Sequence, residues 1–161
     1  MKRLNTWCQQ LHQTMFVLSI DPGKNCGTAY WECDSVGNYH QIWVKNLTKE
    51  ELFEVLKHEP IDYIVYEGYR LYANMAKTMI GNDFETPQII GVIKFIASER
   101  GIPTYMQMAT AKKIWTDDRL RHMGLYCSID HRRDAIRHFL NWYYITMKYG
   151  DKRDLIKKEA N

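Results

Sequence analysis

The chain has 161 residues, 45% of them apolar and 25% charged, which suits one globular domain and excludes a disordered or low-complexity chain. No stretch approaches the ~18–20 consecutive apolar residues needed to span a bilayer, so no membrane partner is expected. The net charge of +3 hides an asymmetry: residues 1–108 carry 10 Lys and Arg against 12 Asp and Glu, residues 109–161 carry 12 against 7, and such a basic third suits either a polyanion or a solvated surface.

The start Met1-Lys2-Arg3 has the basic character of a signal peptide, but Gln9, Gln10, His12 and Gln13 leave no apolar segment behind it. Residues 1–14 therefore read as an N-terminal extension, 15–149 as the domain and 150–161 as a charged tail. Cys8, Cys26, Cys33 and Cys127 form no CxxC pair and no zinc-ligand spacing. They are expected to be reduced thiols of a cytoplasmic protein, with Cys26 and Cys33 as packing residues.

Residues 15–20 (MFVLSI) are an unbroken apolar run of strand length, the pattern of a strand buried on both faces. Asp21-Pro22-Gly23 turns the chain. Strands follow at 27–33 and 39–45 across a turn at 34–38, which makes a three-stranded antiparallel meander. Thr48 with Glu51 is a capping box opening a helix that Pro60 stops. The fourth strand, 61–66, follows a helix and is expected parallel to the first, with Glu67 at its end. Residues 68–83 read as a long loop, a length usually tied to function. Thr86-Pro87 then supplies a cap and a first-turn proline for a helix that runs to Arg100 and ends at Gly101. Its apolar residues exceed one stripe, so it is expected to pack on the sheet and on a second surface. A fifth strand is expected over 103–107 and mixed helix over 109–123. A last helix over 131–149 would be capped by Asp130 and bury Ala135, Ile136, Phe139, Leu140, Tyr143 and Met147. The order predicts an α/β fold: a mixed five-stranded sheet, its first three strands antiparallel, flanked by helices.

Asp21 ends an otherwise apolar strand, where a carboxylate is costly unless solvated, paired or bound to metal; the turn alone would also account for it. Glu67 ends the fourth strand, and ligands collect at the C-terminal ends of such strands; pairing with Arg70 is the plainer explanation. His131 and Asp134 share a helix face, continued by His138, for which a structural or phosphate-facing role is expected. Asp130 at the helix entry suits the helix dipole, and it also competes with His131 as a ligand. Carboxylates gathered from two strands and a helix repel one another, and divalent cations relieve that repulsion. Two such ions about 4 Å apart can activate a water and stabilise the leaving oxygen of a phosphodiester.

Three ordered segments carry a resemblance: Val17-Leu18-Ser19-Ile20-Asp21-Pro22-Gly23, then Tyr66-Glu67-Gly68-Tyr69-Arg70, then His131-Arg132-Arg133-Asp134-Ala135 with His138 beyond. Together with Glu85-Thr86-Pro87-Gln88-Ile89-Ile90-Gly91 they resemble the RuvC-like Holliday junction resolvases of the RNase H-like superfamily, above all the small versions carried by bacteriophages. The resemblance spans about residues 15–147. It implies an RNase H-like fold and a metal-dependent endonuclease that resolves four-way junctions and other branched DNA by paired nicks. It implies catalytic and metal-binding roles for Asp21, Glu67, Asp134 and, as fourth member, His131. Two Mg²⁺ ions per site are implied, with Mn²⁺ the alternative because His131 would offer nitrogen. His131 as a proton carrier is a further alternative. Tyr69, Arg70, Tyr72 and Lys77 on the loop are expected at DNA, as are Lys112, Lys113, Arg119, Arg132, Arg133 and Arg137 at backbone phosphates. A homodimer through the 84–100 helix is expected, in the cytoplasm of a bacterial or phage-infected cell. Three rival readings stay open: a noncatalytic branched-DNA-binding module, an RNase H-like nuclease of flaps or RNA, and, least favoured, a sugar-kinase-type phosphotransferase, which would need a second lobe.

Overall fold

The computed structural model describes residues 14–34, 37–69 and 84–147. The extension before Thr14, most of the 68–83 loop and the tail fall outside them. A single sheet runs in the order β3-β2-β1-β4-β5, with β1 Met15–Asp21, β2 Cys26–Cys33, β3 Tyr39–Leu47, β4 Tyr63–Glu67 and β5 Thr104–Gln107. The β1–β2 and β2–β3 pairs are antiparallel; β1–β4 and β4–β5 are parallel. This is the predicted mixed sheet, and Asp21 and Glu67 are the last residues of their strands rather than the first beyond them.

Side chains alternate across a strand, and here that alternation sorts two separate cores. Leu18, Ile20, Ile64 and Tyr66 face helices α1 (Lys49–His58) and α2 (Glu85–Arg100). Val17, Ala29, Trp31 and Val65 face helix α5 (Asp130–Asn141) and its π-helical continuation Trp142–Met147. Buried Ser19 lies between Val17 and Asp21 on that second face, where its hydroxyl donates to the Ala29 carbonyl at 3.3 Å and accepts from the Trp31 indole at 3.1 Å. Phe139 of α5 stacks on Trp31 with ring centroids 3.9 Å apart, fixing the helix over β2. Cys26 and Cys33 are buried, free and divided between the two cores, as packing residues should be.

The α1 capping box forms as predicted: the Thr48 hydroxyl accepts from Glu51 N–H at 3.2 Å and Glu51 accepts from Thr48 N–H at 2.8 Å. Thr48→Ala is expected to cost about 1 kcal/mol, read as a lowered midpoint in urea denaturation with unchanged slope. Gly101 closes α2 in the left-handed region (φ 67°), as its position predicts.

Other boundaries differ. Helix α2 starts one residue before Thr86, with Phe84 at the cap and no side-chain cap bond, because Thr86 lines a cleft instead. Residues 109–123 divide into α3 (Ala111–Ile114) and α4 (Asp117–His122), the latter capped by Thr116. Asp130 is the first residue of α5 rather than its cap, a place taken by Ile129 without a side-chain bond. The helix then widens after Asn141, where the Tyr143 hydroxyl donates to the Gly37 carbonyl and Tyr144 meets the Tyr39 hydroxyl at 3.2 Å. Among the described residues no helix is long and apolar enough to cross a membrane.

Candidate active site

The β1–β4 register pairs Ile20 with Tyr66, so Asp21 and Glu67 end adjacent parallel strands side by side. Counting by twos from Val17 and Val65 places both carboxylates on the α5 face. Gln107, opposite Glu67 in the β4–β5 register, extends the row. Helix α5 delivers Asp134 to the same face because it is seated unusually close to β2. The backbone of His131 lies directly over Gly27, where a Cβ would stand 1.9 Å from the His131 carbonyl oxygen. Only glycine permits that approach.

Each carboxylate has a protein partner. Asp21 Oδ2 is 2.8 Å from His131 Nδ1, and Glu67 Oε2 is 2.9 Å from His138 Nε2. Asp134, its side chain only 7% exposed, accepts from Lys112 Nζ at 2.7 Å and from Arg137 at 2.8 Å. Burial pushes the Asp21 carboxyl above its ordinary range; the His131 bond pulls it back, while repulsion from Glu67 and Asp134 adds to the rise. The bond to Asp134 pushes the Lys112 ammonium up, with Glu67 and Asp21 contributing in the same sense. Lys112, half-exposed, is thus bonded to Asp134 and feels the charges of Glu67 and Asp21 more weakly. An open cleft of about 260 Å³ borders Asp21 and Glu67, with Gly68, Tyr69, Thr86 and Met108 on its walls.

The structure brings Asp21, Glu67, His131 and Asp134 to one end of the sheet. Among the described residues, however, no three His, Cys, Asp or Glu side chains stand ready-made to hold a metal ion. Their oxygens are turned to His131, His138, Lys112 and Arg137 instead. The donor chemistry still fits a hard divalent cation: three mutually repelling carboxylates around a site where a lysine supplies the positive charge.

Several of the candidate residues have partners within the protein. Asp130, the possible additional ligand, has a side chain 78% exposed and bonded to Arg133. Arg133 is engaged within the protein. Its guanidinium donates to the Cys127 carbonyl at 2.9 Å and pairs with Asp117 at 3.2 Å. Arg137 is buried, donating to the Trp115 carbonyl at 2.8 Å and pairing with Asp117 and Asp134. Lys112 is spent on Asp134 rather than left for a phosphate. Arg119 lies over the Trp115 ring, 4.7 Å from its centroid. Lys113 is exposed, Arg132 half-buried and Tyr69 partly exposed at the cleft. Arg70, Tyr72 and Lys77 lie outside the described residues. The sequence reading missed Gln107 altogether. It saw His138 on the face of His131 and Asp134 without finding the partner that the spacing implies.

No protein-family model matches the chain, and no curated protein matches it. Solved structures do. Thermus thermophilus RuvC in complex with a Holliday junction substrate is 17% identical, with a TM-score of 0.61 over 83% of this chain and 96% of that one. The fowlpox virus Holliday junction resolvase is 15% identical, with a TM-score of 0.57 over 81% and 99%. The yeast mitochondrial Holliday junction resolvase Ydc2 is 12% identical, with a TM-score of 0.58 over 92% and 85%. The mixed five-stranded sheet flanked by helices is thus the fold of these RuvC-type resolvases.

Proposed function

We propose that the chain is a divalent-metal-dependent endonuclease that resolves four-way junctions and related branched DNA by paired nicks, acting as a homodimer in the cytoplasm of a bacterial or phage-infected cell. One observation carries this reading: Asp21, Glu67 and Asp134, far apart in sequence, end on one face at one end of a sheet whose fold is shared with solved Holliday junction resolvases.

In this reading Asp21, Glu67 and Asp134 hold the cation, Mg²⁺ or Mn²⁺ and two per site. The ions supply charge neutralisation for a phosphodiester and an acidified water. His131 is bonded to Asp21 through Nδ1 and exposed, so its Nε2 serves as a fourth ligand or as the group that takes up a proton. Tyr69 at the cleft offers a ring to an unstacked base. Lys113 and Arg132 offer positive charge to the backbone, which positions a duplex without reading its sequence.

The test is incubation of the purified chain with synthetic four-way junctions, flaps and linear duplexes in Mg²⁺ or Mn²⁺. Junctions are expected to be cut in preference to linear duplex, at paired positions. Equal cutting of linear duplex would sink the branch-selective part. Junction binding without any cutting in either metal would leave a noncatalytic module.

The dimer is proposed through α2. That helix buries Ile89, Ile93 and Ile96 against the sheet side, yet leaves Phe95 64% exposed. One turn earlier, a Cβ on Gly91 would meet nothing within 4 Å. A bulky ring beside an empty seat on one helix is self-complementary across a two-fold axis. Phe95→Asp is expected to leave thermal stability within about 0.5 kcal/mol. It should convert the chain to a monomer by light scattering and uncouple the two nicks. A monomeric wild type would defeat this arrangement.

A further inference from the structure

The candidate site uses Glu67 but leaves unexplained why a histidine, its side chain 2% exposed, is buried beside it. His138 lies one helical turn beyond Asp134 on α5, and its Nε2 is 2.9 Å from Glu67 Oε2. One helix therefore carries both an acid of the site and the group that grips a second acid on β4. On the far side of the imidazole lies Gln107. Its amide satisfies both ends when its oxygen is turned to accept from the Trp142 N–H at 3.0 Å and its nitrogen to donate to the His138 carbonyl at 3.2 Å, an orientation assigned from these partners. In that orientation the nitrogen stands 3.4 Å from His138 Nδ1 and 3.1 Å from Asn141 Nδ2. That amide orientation assigns Nδ1 as the acceptor and so places the ring proton on Nε2, facing Glu67. Glu67 and Gln107 face each other across the β4–β5 register, so the imidazole bridges two strand ends from the helix above them.

We infer that His138 is a positioning residue: through Gln107 and Glu67 it locks α5 to β4 and so fixes where Glu67 stands relative to Asp134. The inference rests on the nuclease reading for its consequence, but not for its geometry. Glu67 gives one oxygen to His138 and keeps the other for a ligand. Freed from the imidazole, its three-bond side chain would sample several rotamers, and each binding event would have to order it again. Partners that orient ligands in this way typically contribute 10–100-fold in metal affinity or activity.

The test uses the full chain and two variants, His138→Phe, which keeps a ring without the donor, and His138→Gln, which returns one. His138→Phe is expected to weaken Mn²⁺ affinity, measured calorimetrically without DNA, by about 10–100-fold. Single-turnover cutting should fall by a similar factor while metal-free junction affinity stays unchanged. His138→Gln should recover most of the Mn²⁺ affinity, which a merely space-filling role would not do. A long-range ¹H–¹⁵N spectrum of the wild type should show the His138 ring protonated on Nε2. Should His138→Phe fail to fold, Gln107→Leu serves in its place and is expected to cost about tenfold in Mn²⁺ affinity. Unchanged Mn²⁺ affinity in a folded His138→Phe or Gln107→Leu protein, or a ring proton found on Nδ1, overturns the inference. A wild type that binds Mn²⁺ with the His138 dependence described but cuts no branched DNA sinks the nuclease reading alone. One that binds no Mn²⁺ sinks both.

Discussion

Asp21→Asn is expected to lower junction cleavage by at least about 10³-fold and, at neutral pH in the presence of a chelator, to raise the melting temperature. The two effects share a cause. Burial first, and then Glu67 and Asp134, hold the Asp21 carboxyl above its ordinary value of 3.8, with the His131 bond only partly opposing them. The folded chain therefore binds this proton more tightly than the unfolded chain does. The favourable contribution is complete below pH 3.8 and is lost as pH rises through the folded value, so at pH 7 ionised Asp21 is a net cost. Asparagine removes the charge and keeps an oxygen for His131. Relieving such a functional site typically returns about 0.5–2 kcal/mol, or a few degrees in a domain of this size. Calorimetry of both proteins from pH 3 to 7 checks the sign: the gap should be widest near neutrality and close in acid. A lower melting temperature for Asp21→Asn at pH 7 would show that the His131 pair outweighs burial. Cleavage surviving the substitution would remove Asp21 from the chemistry altogether.

Gly27→Ala should be the most disruptive glycine-to-alanine change among the described glycines. The added carbon would stand 1.9 Å from the His131 carbonyl oxygen and 2.2 Å from its carbon, and both are backbone atoms that no rotamer change can clear. Either β2 or the start of α5 must move. The Trp31–Phe139 stack anchors the helix two turns further on, so the N-terminal turn has to lift. Overpacking of this kind costs about 3 kcal/mol, and the lifted turn carries His131 away from Asp21. We expect a lower denaturation midpoint together with loss of cutting, and neither should recover in excess Mn²⁺. The equivalent change at Gly91, whose Cβ would meet nothing within 4 Å, should leave the fold of the single chain unchanged and serves as the control for the denaturation midpoint alone, since it alters the proposed dimer seat.

The features legible in the sequence are those decided by local chemistry. An unbroken apolar run forces β1 to the centre of the sheet, the Thr48–Glu51 pair satisfies its own helix end, and Gly101 supplies the left-handed cap. Asp21 and Glu67 stood out because each closes an apolar strand, where a charge needs a reason. What escaped detection depends on which neighbour a side chain meets after packing. Arg133 and Arg137 look like surface cations on a basic helix, but Asp117, from a separate short helix, draws both inward. Asp130 reads as a cap or a ligand until Arg133 is seen one turn away. Gln107 carries no signal of its own. Its part in the arrangement comes from β5 lying beside β4, a pairing between segments some 40 residues apart in sequence.

The position of Lys112 bears on how the protein comes into being. Three acids crowded at one sheet end would ordinarily oppose assembly until something neutralised them, making the chain's maturation hostage to its inorganic surroundings. A tethered ammonium already bonded to Asp134 acts as a built-in counter-ion at their edge. If the site takes a cation as proposed, the chain is expected to complete its architecture under chelation, and loading would exchange one positive charge for another, separate in time from folding.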